Sequence, residues 1–453
     1  MREILVKSKE FKDSPLGKIP KDWDVKPLSE LADVDRGKFT HRPRNDPRFY
    51  GGSYPFIQTG DIANSSGGIL STYSQTLNER GITVSREFPV GTIAITIAAN
   101  IADTAILGIP MFFPDSVVGA VVKKPNSIRY VELCIRRAKQ RLDARAPQSA
   151  QKNINLEDLR PLLIPVPSPE EQHRIAEVID TIDSAIAHTS SLIAKLKQMK
   201  AGLLHDLLTR GLDENGELRD AIGHPEQFKD SPLGQIPKDW ELRKLTDIAS
   251  YQNGKSFPSS DYGESGIPLL RPGNLPNDNF VLWDKAHTTY LPGKWADIAS
   301  DYIVLGGELV MNLTAQSLED QFLGRVCMTP PKTFCLLNQR IARFRAKDCH
   351  LPFLFWAIKG TYFRAQIDRI PQGTKVQHIY NSDLEAIILP IPKKQIEQKA
   401  IAEILLAQST RIRTEEAYRD KLKLQKKGLM HDLLTGKVRV KDADKFTPAS
   451  DTV

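Results

Sequence analysis

At 453 residues the chain is too long for one ordinary hydrophobic core, and it predicts two or three domains. A composition of 40% hydrophobic and 26% charged residues is globular, without the bias of a disordered chain. The net charge of +7 favours a polyanionic partner without requiring one.

The four cysteines, Cys134, Cys327, Cys335 and Cys349, form no C-x-x-C, which argues against zinc and fits a reducing compartment. The N-terminal "MREILVKSKEFKD" lacks an apolar signal core, and no run of about 18 apolar residues occurs. A soluble, cytoplasmic protein with no membrane contact is expected.

In chain order, the first distinctive stretch is "FKDSPLGKIPKDW" (Phe11–Trp23), which returns as "FKDSPLGQIPKDW" (Phe228–Trp240), 12 of 13 residues identical and 217 positions on. The likeness extends from Phe11–Lys38 to Phe228–Lys255, at 16 of 28 positions. A period above 200 residues is a duplicated domain, not a solenoid. Trp23 and Trp240 close the two segments and are expected to anchor their domains.

"RGKFTHRPRNDPRFY" (Arg36–Tyr50) follows, with Arg36, Lys38, His41, Arg42, Arg44 and Arg48 against Asp46, and Phe39, Phe49 and Tyr50 interleaved. Guanidiniums match phosphate oxygens and guanine edges in bidentate geometry, so the stretch suits DNA contact. The same composition suits a solvated loop whose arginines pair with local acids. Next, "YPFIQTGDI" (Tyr54–Ile62) aligns with "IPLLRPGNL" (Ile267–Leu275). The turn is shared, while Gln58 becomes Arg271 and Asp61 becomes Asn274. Two readers of different base pairs need such a change, and neutral drift also produces it.

Gly91–Ala99, Ser116–Val122 and Gly307–Leu313 read as strands. Arg129–Ala146 and Leu351–Asp368 read as one helix each. The regions between the repeated ends are therefore mixed α/β, with loops able to carry recognition.

A long helix follows the "IPVPSPEEQ" turn. Ile175, Val178, Ile182, Ala185, Leu192, Leu196, Met199 and Leu203 mark one apolar seam. Ser168 and Pro169 supply an N-cap and a first-turn proline, Glu170 and Glu171 face the positive dipole end, and Gly211 ends it. Leu159–Asp180 resembles Leu384–Leu405, and "GLLHDLLT" (Gly202–Thr209) recurs as "GLMHDLLT" (Gly428–Thr435). The second helix, about 394–435, has Ile401, Leu405, Ile412, Leu422, Leu429 and Leu433 in phase, interrupted by Gln408, Glu415 and Lys426. About 40 residues span about 60 Å, and one apolar stripe of that length calls for a partner. The two helices are expected to pair antiparallel.

Catalytic motifs fail. Gly254-Lys255-Ser256 looks like the tail of a phosphate loop, but Ala249 stands where its first glycine belongs, and the other copy reads Gly37-Lys38-Phe39. No H-E-x-x-H or G-x-S-x-G occurs. His205-Asp206 and His431-Asp432 look like catalytic pairs, but they sit at helix ends beside leucines and read as a duplicated helix-end packing or partner-docking motif instead of a dyad.

Two L-G-x-I-P-x-D-W segments, two variable α/β regions and two long helices ending in H-D-L-L-T resemble the specificity subunits of type I restriction–modification systems. The resemblance covers essentially the whole chain. It implies an α+β fold in which two mixed α/β target-recognition domains are separated by two long helices. These helices form an antiparallel coiled coil, and the halves form a pseudo-two-fold internal repeat. The expected division is a first recognition domain at 1–167, a central helix at 168–211, a linker and second recognition domain at 212–392, a C-terminal helix at 393–436 and a flexible tail at 437–453. Double-stranded DNA, two methyltransferase subunits and restriction subunits are the implied partners. The chain itself is expected to be non-catalytic and to bind no cofactor, with S-adenosylmethionine, ATP and magnesium on the partners. Candidate DNA contacts are Arg36, Lys38, His41, Arg42, Arg44, Gln58, Thr59 and Asp61 in the first half. In the second half they are Lys255, Ser256, Arg271, Asn274, Gln372 and Lys375. Candidate docking residues are His205, Asp206, His431 and Asp432, and no metal ligand is expected. A stand-alone bipartite DNA-binding regulator is the competing reading.

Overall fold

The computed structural model describes residues 3–65, 67–98, 100–145, 153–316, 321–370 and 376–442. It separates into two compact units, residues 1–190 with 417–453, and residues 191–416. Each unit takes part of both long helices.

In the first unit one sheet runs in the order Ala32–Arg36, Val117–Val122, Ile93–Thr96, Thr104–Leu107, Ile69–Leu70. Its pairs are antiparallel except the last. A second sheet runs Gln75–Leu77, Tyr50–Phe56, Met111–Phe113, Arg86–Phe88, with a parallel pair in the middle. The second unit repeats this plan. Its first sheet runs Ala249–Asn253, Ile341–Ala346, Leu309–Asn312, Val326–Met328, all antiparallel. Its other sheet runs Thr289–Leu291, Ile267–Leu270, Phe334–Leu337, Ile303–Leu305, again with a parallel central pair. Apart from the edge strand Ile69–Leu70, which has no counterpart among the described strands of the second unit's sheet, the middles that differ in sequence therefore share strand order and direction.

The central strands are apolar on both faces because both faces are covered. Ile93 and Ile95 pack toward the helix Ile128–Arg137, while Ala94 packs with Phe88 and Phe113 of the second sheet. In the second unit Leu309 and Met311 face the helix Leu351–Lys359, and Val310 faces Cys335 and Leu337. The single helices expected at 129–146 and 351–368 are each broken. Ile128–Arg137 is followed by Lys139–Arg145, and Leu351–Lys359 by Thr361–Ile367. At the second break Gly360 is extended (φ −77°, ψ 170°), and a β-carbon there would lie 2.6 Å from Leu208 Cδ1.

The long helices span Pro169–Thr209 and Gln395–Leu434. Ser168 Oγ accepts from the Glu171 N–H at 3.3 Å, the expected cap. Within the first unit Ile175 and Ile179 share a core with Leu433 and Leu434, and Lys426 pairs with Asp183. Within the second, Leu207 and Leu208 share a core with Ile401 and Leu405, and Lys197 meets Glu416 at 2.7 Å. In both units rising numbers on one helix meet falling numbers on the other, so the paired segments are antiparallel. The seam of the first helix differs from the expected one. Ile175, Ile179, Thr189, Ile193 and Leu196 are buried, whereas Met199 is 61% exposed. On the second helix two of the interrupting polar residues bond across to the first: Gln408 Nε2 donates to the Leu196 carbonyl at 3.3 Å, and Lys426 pairs with Asp183.

Two short pairings frame the units: Asp24–Pro27 with Leu163–Val166, and Trp240–Lys244 with Ile388–Pro392. Within the expected flexible tail at 437–453, Val438–Asp442 is instead a strand paired antiparallel with Glu3–Lys7, and 443–453 lies outside the described residues.

Candidate nucleic-acid interface

The arginine-rich stretch of the first unit leaves the strand Ala32–Arg36 and returns in the strand Tyr50–Phe56. Its aromatic residues root the loop instead of facing outward. Phe39 is buried, with ring centroids 5.5 Å from Phe56 and 5.8 Å from Tyr50, and His41 lies 4.2 Å from Phe49. The cations gather on an acid that the local sequence did not reveal. Arg42 and Arg44 both contact Asp115 Oδ2, at 2.8 and 2.5 Å, and Arg36 Nε donates to the Asp115 carbonyl at 2.5 Å. Arg48 and His41 bond Asp46, and the Arg48 contact holds that carboxyl far below the usual range. Arg42 and Arg44 remain about half exposed (53% and 52%), and Lys38 is exposed as well. Arg36, Lys38, Arg42, Arg44 and Arg48 thus face two carboxylates, and the loop is cationic.

Beside it lies a cleft of about 430 Å³, lined by Arg44, Asn45, Tyr50, Gln58, Gln75 and Ser116 among others. Gln58 Nε2 donates to Gln75 Oε1 at 3.0 Å. Thr59 opens the short helix Thr59–Ser65. Asp61 turns inward and accepts from the Gln58 N–H at 2.8 Å and from Ser74 Oγ at 3.1 Å.

The second unit builds the same place differently. Arg271 Nη1 donates to Thr289 Oγ1 at 2.9 Å and stands over the Tyr262 ring. It shares a pocket of about 120 Å³ with Tyr262, Asn338, Gln339 and Arg340. Asn274 is fully buried; its Oδ1 accepts from the Arg271 N–H at 2.9 Å and its Nδ2 donates to the Leu282 carbonyl. Asp61 and Asn274 both tie the turn to the backbone N–H of residue 58 or 271; Asn274, expected to read a base, is instead buried beneath the turn, while Asp61 remains partly exposed. Lys255 stands over the Tyr302 ring, and Ser256 is exposed. Gln372 and Lys375 lie outside the described residues.

The repeated Gly-Lys is explained by packing. Gly37 and Gly254 donate to the carbonyls of Val117 and Ile341, and a β-carbon on either would strike the Pro114 or Asn338 carbonyl, at 2.2 and 2.1 Å. Pro114 and Asn338 are thus equivalent positions. Asp115-Ser116 in one unit then corresponds to Gln339-Arg340 in the other. Gln339 and Arg340 were missed in the sequence; their signal, a polar pair just after a buried strand, becomes visible only once the units are superposed by these contacts.

The duplicated ends form a second, buried site. Trp23 Nε1 donates to Glu171 Oε2 at 3.2 Å, and Trp240 Nε1 to Glu397 Oε1 at 3.0 Å. Arg439 bonds Glu171 and Asp22; Arg219 bonds Glu397 and Asp239. Gln172 and Gln398 accept from the Ser127 and His350 N–H groups, the caps of the two equivalent helices. Glu171 with Gln172 matches Glu397 with Gln398, one residue out of step with an ungapped alignment of the two stretches, which hid them. His205 and His431 are exposed. His205 lies 3.4 Å from Thr361 Oγ1, and His431 3.1 Å from Lys437 Nζ. Asp206 meets Arg210 at 3.9 Å. Neither His-Asp pair is joined as a dyad by any hydrogen bond among the described residues.

Among the described residues no cluster of three or more His, Cys, Asp or Glu side chains could hold a metal, and no helix is long and apolar enough to cross a membrane. All four cysteines are free and buried, and burial pushes their thiols up to about 12.

The family model described as "Type I restriction modification DNA specificity domain" matches residues 20–198 and 237–424. The specificity subunit of the type I restriction enzyme MjaVIII from Methanocaldococcus jannaschii is 24% identical over 441 residues, which cover 96% of this chain and 97% of that one. The crystal structure of a type I restriction–modification S subunit from M. genitalium resembles this one with a TM-score of 0.55 at 15% identity, covering 91% of this chain and 96% of that one. A chain from a structural study of type I system assembly and conformational transition gives 0.57 at 15% identity, covering 93% and 99%.

Proposed function

From the premise that this chain belongs to the type I restriction–modification specificity subunits, we propose that it binds double-stranded DNA at a bipartite, asymmetric site, one half-site per unit, and directs the chemistry of partner subunits there. The observation that carries this reading is the equivalent cleft of the two units. The same strands, turn and Gly-Lys contact hold Gln58 and Ser116 in one unit, and Arg271 and Arg340 in the other. One scaffold with different long polar side chains at matching positions suits two readers of different base edges. The exposed cations around the first cleft suit phosphate oxygens, which position a protein on a duplex without reading it.

In this reading the chain has no catalytic role. Two methyltransferase subunits bring S-adenosylmethionine and methylate adenine, and restriction subunits bring ATP and magnesium. The duplicated ends, with exposed His205 and His431, offer two equivalent docking surfaces to two copies of one partner. The purified chain alone should transfer no methyl group and cut no DNA. With its methyltransferase partner and S-adenosylmethionine it should direct methylation to one interrupted, asymmetric motif. Turnover by the isolated chain, or partner methylation at the same sites without it, would refute the proposal.

A further inference from the structure

The two units differ sharply where the buried helix of each meets the long helices. In the first unit this place is a closed network. Arg129 pairs with Glu132, Asp180 and Asp183; Arg136 pairs with Glu132; Lys426 pairs with Asp183. The shared caps at Ser127 and His350 and the shared Glu171 and Glu397 fix the equivalent positions in the second unit. There Glu132 is replaced by Phe355, Asp180 by Leu406 and Asp183 by Ser409, while Lys426 keeps its counterpart in Lys200 and Arg136 in Lys359. The carboxylates have gone and two of the cations stay.

What remains is a cleft of about 590 Å³ within residues 191–416. Lys359 Nζ lies 4.7 Å from the Phe355 ring centroid and 5.8 Å from that of Trp356; Lys200 Nζ lies 5.2 Å from Trp356. Lys359 donates to the Asp278 carbonyl and to Asn279 Oδ1, at 2.8 and 3.1 Å. The Asn279 side-chain Nδ2 is buried without an acceptor, on a residue that lines the cleft and is 2% exposed. Among the described residues the acids lining the cleft are Asp278 and Glu416, and Glu416 already pairs with Lys197. Burial draws the Lys359 ammonium down to about 8 and lowers that of Lys200, as expected of two charges without an adequate counter-ion.

We infer that this cleft binds a phosphate group, held by the ammoniums of Lys200 and Lys359 and the orphan amide N–H of Asn279, in place of the carboxylates that close the equivalent site in the first unit. The inference does not rest on the DNA-reading assignment. The phosphate could belong to a DNA backbone or to a free anion, and the chemistry of recognition is the same.

The test uses the full chain and inorganic phosphate as probe. In wild type, phosphate should raise the melting temperature by roughly 4 °C at a concentration roughly 100-fold above its dissociation constant, relative to chloride at equal ionic strength. Ser409→Asp restores the first unit's carboxylate beside Lys200, so it should fold and lose that rise. Lys200→Gln and Lys359→Gln should lose it too. If the anion is a DNA phosphate, Ser409→Asp also weakens duplex binding on every sequence and free phosphate competes. If it is a free anion, duplex affinity stays unchanged while the thermal shift is lost. No phosphate-specific shift in wild type, or an equal shift in Ser409→Asp, would overturn the inference.

Discussion

Arg439 grips Asp22 with both terminal nitrogens, each at 2.8 Å, across 417 residues of chain. The same guanidinium reaches Glu171 at 2.6 Å, which in turn accepts from Trp23. The end of the repeated segment Phe11–Trp23, the start of one long helix and the exit of the other are thus fastened at one buried carboxylate. Arg219, Asp239, Glu397 and Trp240 repeat the arrangement in the second unit. Removing one partner of a buried ion pair strands the other charge and costs about 3–5 kcal/mol. Arg439→Met should therefore lower the urea midpoint of the first unit by the equivalent of about 3 kcal/mol. The double variant Arg439→Met with Glu171→Gln should recover part of that loss, because the stranded charge is gone. A double variant no more stable than the single one would show that the node is held by packing alone.

The cationic loop makes a pair of opposite predictions. Arg36, Lys38, Arg42 and Arg44 are assigned to phosphates, so removing any one charge should weaken binding on cognate and scrambled duplex alike. Each removal should also flatten the salt slope by roughly one unit. Asp115 neutralises Arg42 and Arg44 in the free chain. Asp115→Asn should then strengthen binding on both duplexes. Fluorescence anisotropy across a salt series checks both, and a loss confined to the cognate duplex would move the arginine concerned to a base edge.

Lys359 predicts a pH dependence of the second unit in phosphate-free buffer. Its folded value of about 8 lies below the unfolded 10.5, so between these values the unfolded state holds more protons, and stability rises with pH through that window. Its charged neighbours are Lys200, Asp278 and Arg325, with the Cys327 thiol beside them. Lys359→Met removes the buried charge and should be more stable at pH 7 by up to roughly 3 kcal/mol, less the loss of its two hydrogen bonds. That advantage should shrink as pH rises from 8 to 10.5. An advantage independent of pH would mean that Lys359 is not carrying an uncompensated charge.

Local periodicity made the long helices legible, down to the Ser168 cap, because their apolar spacing is written within a few residues. The seam register was not legible, since Thr189 occupies a buried position and Met199 an exposed one; packing against the partner helix overrides hydrophobicity there. The strand Val438–Asp442 read as tail because the strand it pairs with, Glu3–Lys7, lies at the opposite end of the chain. The cationic loop was visible as composition, yet the acid that organises it, Asp115, comes from a loop more than 70 residues on. Asn274 was taken for a reader because polarity is visible in sequence and burial is not.

Asn274 and Arg271, neighbours on one turn, separate experimentally. Asn274→Ala leaves the Arg271 N–H and the Leu282 carbonyl without their partner and should cost about 1–3 kcal/mol of stability. Arg271→Ala should leave stability nearly unchanged and cost about 1–3 kcal/mol of binding on the cognate site alone. A melting curve and a binding isotherm for each variant distinguish them.

The central claim, that each unit reads one half-site through the equivalent cleft, is tested most directly by genome-wide methylation mapping of a host carrying Arg271→Ala in place of the wild-type gene. An unchanged first half-site, an unchanged gap and one relaxed position in the second half-site are expected. Relaxation in both halves, or an unaltered motif at full methylation, would contradict the claim.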